Sequence, residues 1–213
     1  MNDTVATKHH HRPLFYRFMQ TVFFLLYRLV FRISWEGMEN VPMEGGVILA
    51  PNHASLLDPP AIGCLLPRMI SFIAKKELFP IPFIRQLLLT SSSIPIDRGG
   101  YTRDTLKSVI SRLKSGSCFI IFPEGTRTKT GAFGPSKKGI GMLAVQADVP
   151  VVPCLIEGTF HATPFKSRIT VHFLPPFKPS EIKAETKKAH YLLVSERIMC
   201  DISSLSKSHY GRA

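Results

Sequence analysis

Residues 47–60 read VILAPNHASLLDPP, and their order decides the fold class. Val47, Ile48, Leu49 and Ala50 form a short apolar run suited to a buried strand, and Pro59 and Pro60 suit the first turn of a helix, where a missing N–H costs nothing. The polar loop between them carries Asn52, His53, Ser55 and Asp58. This strand, loop and helix unit recurs along the chain. Apolar runs predict further strands at 70–74, 94–96, 118–122, 151–156 and 169–173. Helices are predicted at 59–66, 84–89, 138–147 and 184–202, and at 102–114 with Leu106, Val109, Ile110 and Leu113 on one face and Gly116 as the stop. The alternation predicts an α/β fold, a single domain whose mixed sheet is flanked by helices. At 213 residues without an internal repeat or long linker, one domain is expected over 34–203. An N-terminal tail and helix would occupy 1–33, and a polar tail 204–213.

Three predicted strands end in loops that carry chemistry. In the first, His53 and Asp58 can pair, with the carboxylate holding one imidazole nitrogen and leaving the other free to take a proton from a hydroxyl. In the second, Ile94-Pro95-Ile96-Asp97-Arg98-Gly99-Gly100, Arg98 offers a planar fork that matches two phosphate oxygens, and the glycines permit close approach. In the third, Phe122-Pro123-Glu124-Gly125-Thr126-Arg127-Thr128, a carboxylate, a hydroxyl and a guanidinium crowd one turn. Loops at the carboxyl ends of sheet strands converge on one crevice, so three distant segments can build one site. Taken singly, each string also fits a bland reading: a chance His and Asp, a strand-end Arg paired with Asp97 or Asp104, and a surface Glu–Arg pair of little energetic worth.

Together the strings resemble those of the glycerolipid acyltransferase family, which contains the 1-acylglycerol-3-phosphate acyltransferases. The family's His and Asp separated by four residues are matched by His53 and Asp58, its Arg after an apolar strand by Arg98, and its Pro-Glu-Gly-Thr-Arg block by residues 123–127. A proline-containing apolar block is matched by Val149-Pro150-Val151-Val152-Pro153. The resemblance implies an enzyme that moves a fatty acyl group from acyl-CoA or acyl-carrier protein to the hydroxyl of lysophosphatidate, giving phosphatidate. Glycerol 3-phosphate or another lysolipid is the alternative acceptor. His53 would be the base and Asp58 its orienting partner; Arg98 and Arg127 would hold phosphate, while Glu124, Gly125 and Thr126 would shape the glycerol site. No metal or other cofactor is implied, and backbone N–H groups near His53 are the expected oxyanion donors. Ser55 as an esterase nucleophile is disfavoured, because no Gly-x-Ser-x-Gly elbow surrounds it and capping is its expected role.

Charge agrees with an anionic partner. Lys and Arg outnumber Asp and Glu by 27 to 15, giving a net charge of +12 and a pI near 9.8. The basic residues are spread out and no nucleic-acid-binding signature occurs, so nucleic acid is not an expected partner. Lys75, Lys76, Lys137 and Lys138 near the strings read as a solvated face. Residues 14–33 are very apolar, yet on a helix Arg17, Gln20, Thr21, Arg28 and Arg32 fall within an arc of about 120°. Arg17 and Arg28 leave too short an uncharged stretch to span a bilayer. The expectation is a helix lying on an anionic membrane surface, the alternative a helix docked on the protein's own core.

Cys64, Cys118, Cys154 and Cys200 are widely spaced and predict reduced core thiols, hence a location on the cytoplasmic face. The run Lys8-His9-His10-His11-Arg12 reads as a solvated tail. A purely membrane-binding protein would explain the charge but not the His–Asp pair beside two phosphate-suited loops.

Overall fold

A computed structural model describes residues 12–97 and 102–210, the side chains of 207–210 excepted. The central strand β2 (Val47–Pro51) is buried along its whole length because alternate residues serve two different cores. Val47 and Leu49 join a cluster with Tyr27, Ile62, Ile70, Cys118 and Val152 on one face. Ile48 and Ala50 join Val109, Phe119, Leu143, Val194 and Ile198 on the other.

The sheet has seven strands. Besides β2 these are β1 (Ser34–Glu36), β3 (Ile70–Lys75), β4 (Ile94–Ile96), β5 (Cys118–Ile120), β6 (Val151–Glu157) and β7 (Thr170–Phe173). Their order is β1-β7-β6-β2-β5-β3-β4, so β2 is central and β4 lies at an edge. Strands β2 to β6 run parallel, and the sheet is mixed because β7 pairs antiparallel to β6 and carries β1 with it. Helices α1 (Leu14–Phe31) and α2 (Asp58–Leu65) cover one face, with α3 (Pro82–Thr90) against α1 and β3. Helices α4 (Arg103–Lys114), α5 (Lys138–Ala147) and α6 (Lys187–Tyr210) cover the other.

The expected α/β architecture is therefore observed, with differences of detail. β1 is an addition; its Trp35 and Glu36 are exposed, so it has no apolar signature. The tail expected from 204 is helical through Tyr210, with Leu205 packed on the core. At its other end α6 begins after Thr186, whose hydroxyl accepts the Ala189 N–H at 3.2 Å. α1 belongs to the domain rather than standing apart, since Tyr16, Tyr27 and Phe31 join the core. It ends at Arg32, whose left-handed φ of 47° lets its N–H reach the Tyr27 carbonyl. The N-terminal Lys-His run up to His11 lies outside the described residues.

Candidate active site

The chain leaves β2 at a fixed height because Asn52 continues the ladder with its side chain. Its Oδ1 accepts the Ile156 N–H at 2.7 Å and its Nδ2 donates to the Ile156 carbonyl at 3.0 Å. His53, the next residue, is clamped by the loop that follows β5. The His53 N–H donates to Glu124 Oε1 at 2.8 Å, and the His53 carbonyl accepts the Thr128 N–H at 2.9 Å. Phe122 stacks on the imidazole with ring centroids 3.9 Å apart.

His53 Nδ1 meets Asp58 Oδ2 at 2.8 Å, and the Asp58 side chain is fully buried while 16% of the His53 side chain is accessible. The same carboxylate oxygen accepts the N–H groups of Ala54 and Ser55, each at 2.7 Å. Three donors on one oxygen fix the carboxylate, and its place as the first residue of α2 sets the positive helix end against it. Oδ1, by contrast, is buried with no hydrogen-bond partner among the described residues. With Nδ1 donating to Asp58, Nε2 is the basic nitrogen, and it makes no hydrogen bond to the described protein residues.

Glu124 is 4% exposed, and while Oε1 takes the His53 N–H, Oε2 takes the Gly134 N–H at 2.8 Å. Both oxygens thus tie the His53 loop to the segment after β5, which the Lys137 N–H closes by donating to the Pro123 carbonyl at 2.7 Å. Gly125 turns the chain at a left-handed φ of 68°, leaving Thr126 and Arg127 exposed in the same loop. Arg98 lies in residues 98–101, outside the described residues. The preceding Asp97 pairs with Lys76 at 2.7 Å, just past β4. β4 is three strands from β2, about 14 Å at the usual strand spacing.

In the loop, the N–H groups of His53, Ala54, Ser55, Leu57 and Asp58 have acceptors within the loop or in Glu124. One expectation is corrected: of the four cysteines, Cys200 is exposed, whereas Cys64, Cys118 and Cys154 are buried. Ser55 Oγ accepts the Leu57 N–H at 3.3 Å, as a local cap does. Two neighbours of the site had no clear sequence signal: Phe122, stacked on the His53 ring, and Glu157 at the end of β6, which meets His172 at 3.1 Å and lines a cleft with Asn52 and Ala54. This cleft of about 360 Å³ adjoins the loop and is also lined by Phe133, Thr159 and Phe160.

The sequence model of the acyltransferase family matches residues 32–157, which hold the His53, Asp58 and Glu124 arrangement. The chain belongs to this acyltransferase family. Among curated relatives, a 1-acyl-sn-glycerol-3-phosphate acyltransferase of Cocos nucifera is 36% identical over 159 residues, 70% of this chain and 51% of that protein. One of Bacillus subtilis is 35% identical over 121 residues, 56% of this chain and 60% of that protein. The chain thus spans about half the length of the curated relatives it matches. The crystal structure of PlsC, the 1-acyl-sn-glycerophosphate acyltransferase of Thermotoga maritima, superposes with a TM-score of 0.69 at 29% identity, covering 90% of this chain and 78% of that one. The family match, begun just after α1 and ended at the last residue of β6, takes in the central sheet and the loops at its carboxyl ends.

Proposed function

We propose that this acyltransferase moves a fatty acyl group from a thioester, acyl-CoA or acyl-carrier protein, to the free hydroxyl of 1-acylglycerol 3-phosphate, giving phosphatidate for phospholipid synthesis. The observation that carries the reading is the His53 Nδ1 to Asp58 Oδ2 pair at 2.8 Å, with Nε2 making no hydrogen bond to the described residues at the carboxyl end of the central strand. Nε2 takes the hydroxyl proton as the alcohol oxygen attacks the thioester carbonyl. The tetrahedral intermediate then collapses, the C–S bond breaks, and the imidazolium returns its proton to the leaving sulfur. Products are the ester and a free thiol, and no acyl-enzyme is required. A positioned base of this kind contributes about 10²–10⁴-fold.

Asp58 holds the tautomer and steadies the imidazolium. Arg127, exposed beside the His53 clamp, and Arg98 would bind the acceptor phosphate and so hold its hydroxyl against the base. Gly125 and Thr126 would border the glycerol, and Glu124 would shape its site by holding the loop. The relatives bearing the 1-acyl-sn-glycerol-3-phosphate acyltransferase name favour lysophosphatidate over glycerol 3-phosphate as acceptor.

Membrane attachment is assigned to α1. It is, among the described residues, the one helix long and apolar enough by length and composition to cross a bilayer. Yet Tyr16, Met19, Tyr27 and Phe31 are buried in the protein, while Leu14, Phe18, Val22, Leu25, Leu26 and Leu29 are exposed. A helix docked on one side and apolar on the other suits a membrane surface, with Arg17, Arg28 and Arg32 toward anionic headgroups. Buried reduced thiols accord with the cytoplasmic face.

The test is a panel of acceptors, namely lysophosphatidate, glycerol 3-phosphate and lysophosphatidylcholine, each with one acyl-CoA on anionic vesicles. Lysophosphatidate is expected to give the highest kcat/KM. Thioester consumption that does not depend on any acceptor would replace transfer with hydrolysis.

A further inference from the structure

The lipid-facing helix is fastened to both ends of the helix that presents Asp58. Near the start of α2, the Tyr27 hydroxyl donates to the Leu57 carbonyl at 2.9 Å, and Leu57 is the residue immediately before Asp58. That carbonyl also accepts the Ala61 N–H at 3.0 Å, so the phenol adds a second bond to the first turn of α2. At the far end, Gln20 Nε2 donates to the carbonyls of Gly63 and Leu66 at 3.1 and 2.5 Å, satisfying acceptors that the last turn of a helix leaves open. Arg12 holds that amide in place by donating to Gln20 Oε1 at 2.7 Å. The seven-residue spacing from Gln20 to Tyr27 covers about 10.5 Å of helix, and the eight residues of α2 cover about 12 Å. The two bolts therefore fit the two ends of α2.

Burial fixes the chemistry of the nearer bolt. Tyr27 is 2% exposed, and loss of solvation pushes its phenol well above the ordinary value, so it is an O–H donor at neutral pH. Leu57 offers no side-chain cap to α2, which leaves the Tyr27 bond as the polar anchor of that turn from outside the loop. One residue later Asp58 Oδ2 grips His53, Ala54 and Ser55. A shift of the Leu57 peptide is thus passed to the carboxylate and from it to the imidazole.

We infer that Tyr27 is a positioning residue for the His53–Asp58 pair, acting through the Leu57 carbonyl, with Gln20 holding the opposite end of the same helix. This rests on the reading of His53 as the base. It makes α1 more than an anchor, because the helix that meets lipid also sets the tautomer-fixing carboxylate.

The experiment compares wild type with Tyr27→Phe in the full chain, assayed on phosphatidylglycerol vesicles with lysophosphatidate and acyl-CoA. Phenylalanine keeps the ring and leaves the Leu57 carbonyl bonded to Ala61, so folding and vesicle binding are expected to be retained. The expected result is a kcat about ten- to a hundredfold lower. Both KM values should stay within about twofold, and the proton resonance of His53 Nδ1–H should move upfield as its bond to Asp58 loosens. An unchanged kcat, a loss carried by KM, or a kcat loss with that resonance unmoved would each overturn the inference. Should Tyr27→Phe fail to fold, Gln20→Met is held to the same criteria. The His53→Ala enzyme, run alongside, separates the two readings: if it turns over normally, the base assignment has failed, whatever Tyr27→Phe does.

Discussion

The two ends of the sheet offer an instructive contrast. The amino end holds a hollow of about 550 Å³, with Arg12, Glu44, Arg68 and Lys114 among its lining residues. By size and charge it resembles an anion site, but its central guanidinium is already spent. Arg68 donates to the carbonyls of Pro42, Gly45 and Gly116, and so ties together the turns that lead into β2 and β5. At the carboxyl end a cleft of about 360 Å³ lies beside the loop. There the N–H groups of His53, Ala54 and Ser55 and the Glu124 carboxylate are spent within the loop, while, among the described residues, His53 Nε2 makes no hydrogen bond and Arg127 is exposed. Cleft volume marks neither end as functional. What separates them is whether the polar groups that converge have already found partners within the protein.

The strongest challenge to this contrast is Asp58→Asn. It removes the charge that fixes the tautomer, and steady-state transfer is expected to fall about 10³–10⁴-fold, comparable with other His–carboxylate pairs. A loss under tenfold would mean that the buried carboxylate only holds the loop. Glu124→Ala should act on both fold and rate. It strands the N–H groups of His53 and Gly134, at about 1–3 kcal/mol each. Thermal unfolding should drop by several degrees, at roughly 2–4 °C per kcal/mol, together with kcat. Unchanged melting would place the Glu124 contacts outside the stability of the loop.

Arginine variants at the two ends should behave oppositely. Arg127→Ala should raise the acceptor KM about tenfold with little change in melting, as expected for loss of a charge-assisted contact. Arg68→Ala should do the reverse, costing about 1–2 kcal/mol of stability and leaving KM within about twofold. If the two variants exchanged these effects, the assignment of the two ends would be reversed.

The smallest effect concerns the thiols. Although Cys118 borders the amino-end hollow, it is buried, and loss of solvation pushes its thiol and that of Cys64 up to about 12. The unfolded chain releases these protons near pH 9 and the folded chain keeps them, so stability is intact below pH 9 and declines as pH rises toward 12. Melting temperature should fall between pH 9 and 11, and at pH 7 a maleimide should label Cys200 while sparing the other three. Rapid labelling of Cys118 would show that end to be open.

Most of the architecture was legible because the buried strands are apolar runs closed by Pro, Gly or polar turns, as in residues 47–51 and 94–96. β1 was not, since its three residues are held by pairing with β7, 136 positions away, from Ser34 to Thr170. Gln20 was drawn into the polar stripe of α1 by angular position alone. A helical wheel does not distinguish headgroups from the open carbonyls of a neighbouring helix, which are its partners. At the site, the His53–Asp58 spacing was legible because both residues lie in one short loop. The part Glu124 plays in that loop was not, since its acceptor duties depend on backbone N–H groups of His53 and Gly134, brought to it only by the fold.

His53→Ala tests Nε2 as the proton acceptor most directly, in single-turnover transfer from acyl-CoA to lysophosphatidate on anionic vesicles. Loss of at least about 10²-fold in the transfer rate, with far-UV circular dichroism and vesicle binding unchanged, is the predicted result. A transfer rate within threefold of wild type would contradict it.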